Sequence, residues 1–510
     1  MKIRHEKRIT IDDVNSVATE HEKVFFADEV RTAVEQSRLC VEKILQEDKP
    51  VYGVNTGFGI FANKKISLGQ IAKLNHNLII SHAVGTGQML AEEIVRAAIF
   101  IRAVTLSKGF SGVRFEIIET LADMLNKNVV PLIPEKGSLG SSGDLCQLSH
   151  MALVLTTDEK DLSEESGLAK YRNQVLSGKE AMEKAGIQRH VLTAKEGLAL
   201  NNGATFTAAI ASLAVYQAEY LIKVADLCAA LTMEALCARS SPFDARVHQV
   251  RNHKGQIETA KSITQMINGS SLIDSQQQVQ DGYSIRCIPQ VHGAVKDSVE
   301  HVKQIVENEI NAATDNPLIF GPGEAISGGN FHGEPLGLVM DFLGIALCEL
   351  GAISERRINR LLDANTNNGL PQMLVDEEKN AGLNSGLMMP HYTAASLVLE
   401  NQTLATPDAI RSLPTSAGQE DHNANEMTAA RHAYEIVENL RQIISIELFS
   451  ALRALELRLK RTPGILGKET GKIYTLLKQV GQYTPDDTLW YKEIEKINQL
   501  IEKRDFLIYR

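Results

Sequence analysis

The sequence predicts a mainly α-helical protein, with a long central helical bundle behind an N-terminal region of shorter, mixed elements. Three observations carry that expectation. Apolar residues recur at the helical period over long stretches: from Ala429 to Lys460, residues Ile436, Leu440, Ile443, Leu448, Leu452, Leu455 and Leu459 form one stripe. Only 5% of the 510 residues are aromatic against a hydrophobic fraction of 44%. The core must therefore be aliphatic, which suits packed helices better than a β-sandwich. Finally, the chain is too long for one ordinary core, so two or three packed regions or one large helical body are expected.

The elements follow in order. Up to about Phe110, short helical patterns alternate with Gly-rich loops. The loop Tyr52-Gly53-Val54-Asn55-Thr56-Gly57-Phe58-Gly59 holds three glycines, which permit backbone conformations that other residues avoid. Composition alone reads it as a turn. A second Gly/Ser run, Gly137 to Gly143, precedes an apolar helical segment from Leu145 to Leu155, with Asp144 at the N-cap position. The run thus sits at a helix N-terminus, where backbone N–H groups favour developing negative charge. Later helices are predicted over Val291–Ala313, Pro335–Leu362 and Ala429–Lys460, the last stopped by Pro463-Gly464. The apolar run Gly337 to Ile353 carries Asp341 and Glu349, which reads as a buried bundle helix and not a membrane span. The expected organisation is an N-terminal region over 1–220, a long-helix bundle over 221–462 and a helical tail over 463–510.

The formal net charge is -10, with both signs interspersed. Nothing resembles the clustered basic footprint of a nucleic-acid binder. The six cysteines are scattered, with no C-x-x-C pair, which fits a reducing cytoplasm. Residues Met1 to Asp12 are charged and lack the apolar stretch of a signal peptide. His292, His332, His391 and His422 share no ligand spacing, so no metal is expected.

Chemistry enters with Ser141-Ser142-Gly143. Within a tripeptide, the amide nitrogen of the third residue can attack the carbonyl carbon of the first and close a five-membered ring. Glycine in third place lets the chain fold back without a Cβ in the way. If the central serine then loses its hydroxyl as water, the ring gains an exocyclic methylidene, an electrophile that no ordinary side chain provides. Taken alone, Ser-Ser-Gly is a turn and helix cap.

The wider segment, Gly137-Ser138-Leu139-Gly140-Ser141-Ser142-Gly143-Asp144-Leu145 followed by Leu148-Ser149-His150, closely resembles the cofactor-forming segment of the histidine ammonia-lyase family of aromatic amino-acid ammonia-lyases and aminomutases. The resemblance runs along nearly the whole chain. In order come Tyr52 to Gly59, Ser81-His82 with Gly85, Asn202-Gly203, Gln280 to Arg286, Asp315-Asn316-Pro317-Leu318, Gly328 to His332, and Gln419-Glu420-Asp421-His422. One such string would be weak, whereas the ordered set is specific. The resemblance implies a fumarase/aspartase-like bundle and a homotetramer whose sites each draw residues from three chains. It also implies a methylidene-imidazolone (MIO) made from Ser141, Ser142 and Gly143. Tyr52 would take the β-proton, with Glu420 the next candidate, and Arg286 would clamp the substrate carboxylate. Asn202, Gln280 and Tyr283 would position substrate or support the electrophile, Phe331 would pack beside the ring, and His82 and Glu420 would meet the substrate side chain. An imidazole needs polar partners when buried, so this pair favours L-histidine, with urocanate and ammonia as products.

Alone, each residue has an ordinary reading: a loop aromatic for Tyr52, a structural histidine for His82, an ion-pair arginine for Arg286, a solvated loop for Glu420. The chain also departs from the family pattern. Ser141 replaces alanine, Cys146-Gln147 stands for Ala-Pro, Asn201 for an apolar residue, Ala204-Thr205 for Thr-Gln, and Asn423-Ala424-Asn425 for Val-Ser-Met. A more polar pocket could hold ammonia and return it at the β-carbon, so an aminomutase is one alternative. A catalytically silent helical assembly protein is another. A fumarase-like lyase ranks low, because Ser142-Gly143 leads into Asp144-Leu145 and not into Met-Pro and Lys.

Overall fold

The computed structural model describes residues 1–47, 49–376, 378–481 and 484–506. Helices dominate, with eighteen α-helices among the described residues, and the strands are short and gathered in sheets of two or three. The helices expected from the apolar pattern form at Leu145–Leu155, Ile288–Glu309, Glu334–Leu362 and Glu426–Arg461. The second of these ends earlier than its pattern suggests. Glu334–Leu362 is long and apolar enough to cross a membrane, yet two thirds of its most apolar window is buried in protein. Its Asp341 accepts hydrogen bonds from the backbone N–H groups of Asp408 and Ala409, a use of a carboxylate that belongs to a protein interior.

The chain forms two compact units, each assembled from three separate stretches. The first contains Met1–Tyr216, Val302–Asp341 and Pro407–Arg431; the second contains Gln217–His301, Phe342–Thr406 and His432–Arg510. In the first unit the Glu92–Ser107 helix is buried from Ile94 onward. Two arginines on this apolar helix explain how neighbouring pieces are held. Arg96 donates to the main-chain carbonyls of Val17, Ala18 and Leu125. Those carbonyls close the last turns of the Ile11–Thr19 and Phe115–Asn126 helices, where no intrahelical donor remains. Arg102 donates to the Asn202 carbonyl at 2.5 Å. A short antiparallel pair, Thr86–Met89 with Pro134–Lys136, sets Thr86 opposite Lys136 and Met89 opposite Pro134. This pairing brings the residues that follow His82 alongside those that lead into Gly137–Gly143.

In the second unit long helices pack through small residues. A Cβ at Gly344 would meet Ile436 Cδ1 at 3.2 Å, and one at Gly351 would meet Ile443 Cδ1 at 3.2 Å. Across the same apolar interior runs a chain of buried polar groups. Glu447 accepts from Thr232 Oγ1, Ser354 Oγ and the Arg357 guanidinium; Arg357 Nη1 donates to His292 Nε2 at 3.1 Å; His292 Nδ1 donates to Asp226 at 2.8 Å. A histidine that accepts at one nitrogen and donates at the other is neutral, and burial depresses its basicity. Burial raises the Asp226 carboxyl, but the hydrogen bonds from His292 and Lys296 outweigh it and hold the group below its ordinary range. Glu447 with Arg357, and Asp226 with Lys296, therefore each pair a buried charge with an opposite one.

Removal of one partner is costly because the other stays buried. Glu447→Ala, which strands Arg357, is expected to destabilise the protein by about 3–5 kcal/mol, and replacing both residues by methionine by much less. Urea unfolding midpoints of the three proteins check this.

Candidate active site

The segment Ser141-Ser142-Gly143 is held by a glycine-on-glycine contact. Gly143 has φ +75° and pairs with Gly203; a Cβ on Gly143 would lie 2.0 Å from the Gly203 carbonyl carbon. Gly203 N–H donates to the Ser142 carbonyl at 2.9 Å, and Asp144 N–H donates to the Gly203 carbonyl at 2.9 Å. Gly203 in turn has no room on its far side, where a Cβ would meet Thr314 O at 2.3 Å. The tripeptide is thus folded back on itself by packing that only glycine permits. Gly143 is buried, while Ser141 and Ser142 are half-buried.

Asp144 stands at the N-cap position, but its side chain does not cap the Leu145–Leu155 helix. Its carboxylate accepts from Ser138 Oγ at 3.0 Å, Thr207 N at 2.8 Å and Thr207 Oγ1 at 3.0 Å. This corrects the capping expectation: three donors tie the loop to the start of the Thr205–Ala235 helix and leave nothing for the cap. Burial, outweighing these hydrogen bonds, raises its carboxyl above the usual range.

Tyr52, His82 and Glu420 share one electrostatic neighbourhood. Burial raises the Tyr52 phenol; a main-chain hydrogen bond from Gly59 opposes the rise and the Glu420 charge adds to it. Burial lowers the His82 imidazole, against a Leu78 backbone hydrogen bond and the same Glu420 charge. Glu420 is oriented by Thr415 Oγ1, which donates to Oε2 at 3.0 Å, and by the Thr415–Glu420 backbone pairing. The Tyr52 loop is tied down locally: Asn55 accepts from Val51 N and donates to Lys49 O, and a Cβ on Gly59 would meet Ser416 Oγ at 2.8 Å. His82 ends the Ile71–His82 helix, three residues before Gly85, whose N–H donates to His150 Nε2 at 3.0 Å. A Cβ on Gly85 would meet Cys146 Sγ at 3.2 Å, and one on Gly137 would meet the same sulfur at 2.8 Å. The His82 strap and the Gly137–Gly143 run therefore converge on Cys146.

Asn202 is buried, and its Oδ1 has no partner. Phe331 is half-buried next to His332, whose ring stacks on His422 at 5.9 Å. Gln280, Tyr283 and Arg286 belong to the second unit. There Gln280 is exposed, Tyr283 is 71% exposed, and Arg286 lies 4.6 Å over the Tyr283 ring with a buried Nε that has no partner.

The departures from the family pattern are largely spent on scaffolding. Cys146 fills the space between two glycines. Gln147 Nε2 donates to Pro134 O, Asn201 Nδ2 to Ser149 Oγ, Asn423 Nδ2 to Leu413 O and Asn425 Nδ2 to Asp408 O. Other residues here escaped the sequence reading. Arg102 carries the Asn202 backbone, and burial lowers it to about 10 against the charges of Asp315 and Asp144. Lys195 and Asp315 form a fully buried ion pair. Glu426 lies under Gly140. An arginine inside the apolar run Ile94–Leu106 was the available signal for Arg102; nothing local marks Glu426. Elsewhere on this unit His76, Asp158 and Glu165 place ligand atoms within 4.8 Å of one another, a grouping that spacing in sequence does not reveal.

Comparison with known proteins bears on the whole chain. Residues 9–479 match the family model described as aromatic amino acid lyase. The histidine ammonia-lyase of Caldanaerobacter subterraneus subsp. tengcongensis is 47% identical over 505 residues, 98% of this chain and 93% of that protein. Among solved structures, histidine ammonia-lyase from Trypanosoma cruzi superposes with a TM-score of 0.90 at 36% identity, covering 100% of this chain and 95% of that one. Tyrosine aminomutase from Streptomyces globisporus superposes with a TM-score of 0.93 at 33% identity, covering 100% and 98%.

The shared Glu420 charge has a measurable consequence. It favours the neutral phenol and the protonated imidazole, so Glu420→Gln should lower the pH at which Tyr52 ionises. Ultraviolet difference titration against Tyr52→Phe in both backgrounds checks it; an unchanged or higher midpoint would break the link.

Proposed function

The chain belongs to the aromatic amino acid lyase family, and from that premise we propose that it is a histidine ammonia-lyase, a carbon–nitrogen lyase that eliminates ammonia from L-histidine to give trans-urocanate. One observation carries the substrate reading: a single carboxylate, Glu420, acts on both Tyr52 and His82. A site so furnished offers polar partners to an imidazole and leaves them stranded beside an apolar ring.

The residues around Ser141–Gly143 fit the methylidene-imidazolone that the family uses. Gly143 N would join the Ser141 carbonyl carbon, whose oxygen leaves as one water; the Ser142 hydroxyl leaves with its α-hydrogen as a second. The positive φ at Gly143 and the hydrogen bond that Gly203 gives to the Ser142 carbonyl favour the folded-back turn this requires. Asn202, with an unsatisfied buried Oδ1, suits a donor on the substrate such as its ammonium. Once formed, the group supplies an electrophile that engages the substrate amine and makes it a leaving group.

Tyr52 is the base we assign to the β-proton. Its surroundings in the chain raise the phenol, so the charge that favours phenolate must come with the substrate ammonium or from another copy of the chain. His82, held neutral by burial, can accept from or donate to the substrate ring. Arg286 is assigned to the carboxylate, with Gln280 and Tyr283 positioning substrate and Phe331 packing beside its ring. Exposed Gln280 and Tyr283 and the partnerless Arg286 Nε are what a site completed by other subunits would present, so we infer a homotetramer. A cytoplasmic location accords with six free cysteines. The likeness to tyrosine aminomutase keeps ammonia re-addition as the second reading.

Incubation with L-histidine separates the two: urocanate alone supports the lyase, whereas β-histidine supports the mutase. Tyr52→Phe should lower kcat by at least ~100-fold with the ring intact, and Glu420→Ala should lower kcat/KM for histidine by ~10–100-fold. Intact mass spectrometry should show the parent lighter by two waters and Gly143→Ala unmodified; an unmodified parent would remove this reading.

A further inference from the structure

Glu426 opens the Glu426–Arg461 helix and is fully buried, and neither carboxyl oxygen has a hydrogen-bond partner. Its side chain occupies a slot between two glycines. A Cβ at Gly140 would lie 1.8 Å from Oε2, and one at Gly333 would lie 2.4 Å from Cγ and Cδ. The backbone just before it is stitched to the same turn: Asn425 N–H donates to Leu139 O at 3.0 Å, and Ala424 N–H to Gly140 O at 3.4 Å. Glu426 thus lies directly on the residue that precedes Ser141.

We propose that Glu426 is a positioning residue for the Ser141–Gly143 segment, a carboxyl packed on Gly140 that holds the turn in the shape from which the ring forms. The inference rests on the reading above that a ring is made there. The charges that act most strongly on Glu426 are Asp144 from the loop, Glu309 from the end of the Ile288–Glu309 helix and Glu334 from the start of the Glu334–Leu362 helix. All three are acidic, and Asp144 in turn faces the buried Arg102. Burial, then these charges, push Glu426 up to about 8, and burial with the Asp144 charge pushes Glu309 up to about 7. A second negative charge beside Asp144, with no donor to receive it, would be expelled toward water and would carry the Gly140 turn with it. The neutral acid avoids this and keeps the volume of the slot filled.

The sign of the pH effect follows. The folded carboxyl binds its proton more tightly than the unfolded one, so the folded parent loses stability as pH rises between the ordinary glutamate range and about 8. Glu426→Gln keeps the shape without the ionisation, whereas Glu426→Ala empties the slot. The test measures the ring-bearing fraction by intact mass and melting temperature against pH for the parent and both variants. The expected result is a full ring in Glu426→Gln and a ring fraction reduced at least ~tenfold in Glu426→Ala, as misplaced reacting atoms require. The melting temperature of Glu426→Gln should rise relative to the parent between about pH 5 and about pH 9. A full ring in Glu426→Ala, or parallel melting profiles for Glu426→Gln and the parent, overturns the inference while the parent still carries its ring. A parent without the ring removes the functional reading and this inference together. The glutamine comparison stands even if the alanine variant fails to fold.

Discussion

The contact between Gly143 and Gly203 leaves no volume for a side chain on either residue, and the geometry of the site follows from it. Gly143 takes a left-handed φ, the Ser142 carbonyl is fixed by Gly203 N–H, and Asp144 N–H closes the pairing on the Gly203 carbonyl. Thr314 backs Gly203 from the other side. Any β-carbon in this stack would push the layers apart by more than an ångström, which close-packed interiors do not absorb cheaply. The turn is therefore held by glycine packing and by backbone hydrogen bonds.

Around that stack the first unit buries charges that face opposite ones. Arg102 faces Asp144 and Asp315, Lys195 pairs with Asp315, and Arg114 makes a two-pronged contact with buried Glu196. The second unit follows the same logic from Glu447 through Arg357 and His292 to Asp226. Paired in this way, buried ions contribute little net stability, but each partner makes removal of the other expensive. Glu426 breaks the pattern: its electrostatic neighbours are acids, and both of its oxygens lack partners. A carboxyl in such surroundings keeps its proton.

The polar residues that set this chain apart from the family pattern gain a different meaning from their contacts. Gln147, Asn201, Asn423 and Asn425 spend their amide donors on backbone carbonyls or on Ser149. They brace neighbouring backbone, while Gln147 Oε1, Asn201 Oδ1 and Asn423 Oδ1 stay buried without a partner. The groups we assign to a substrate ring are His82 and Glu420, which the electrostatics link to Tyr52.

The sequence by itself determined the helices and the family. Long apolar stripes can satisfy burial only as packed helices, so Leu145–Leu155, Glu334–Leu362 and Glu426–Arg461 were legible within a few residues. The Ser-Ser-Gly segment and the ordered strings around it were legible because their meaning depends on residue types and order. What tertiary structure decided were the partnerships. Asp144 reads as a helix cap along the chain, yet in space it answers Thr207 and Ser138. Glu426 reads as a helix-start acid, yet it is sealed beneath Gly140. Burial raises both groups, against hydrogen bonds at Asp144 and together with acidic neighbours at Glu426, and none of this exists until residues far apart in sequence are packed together.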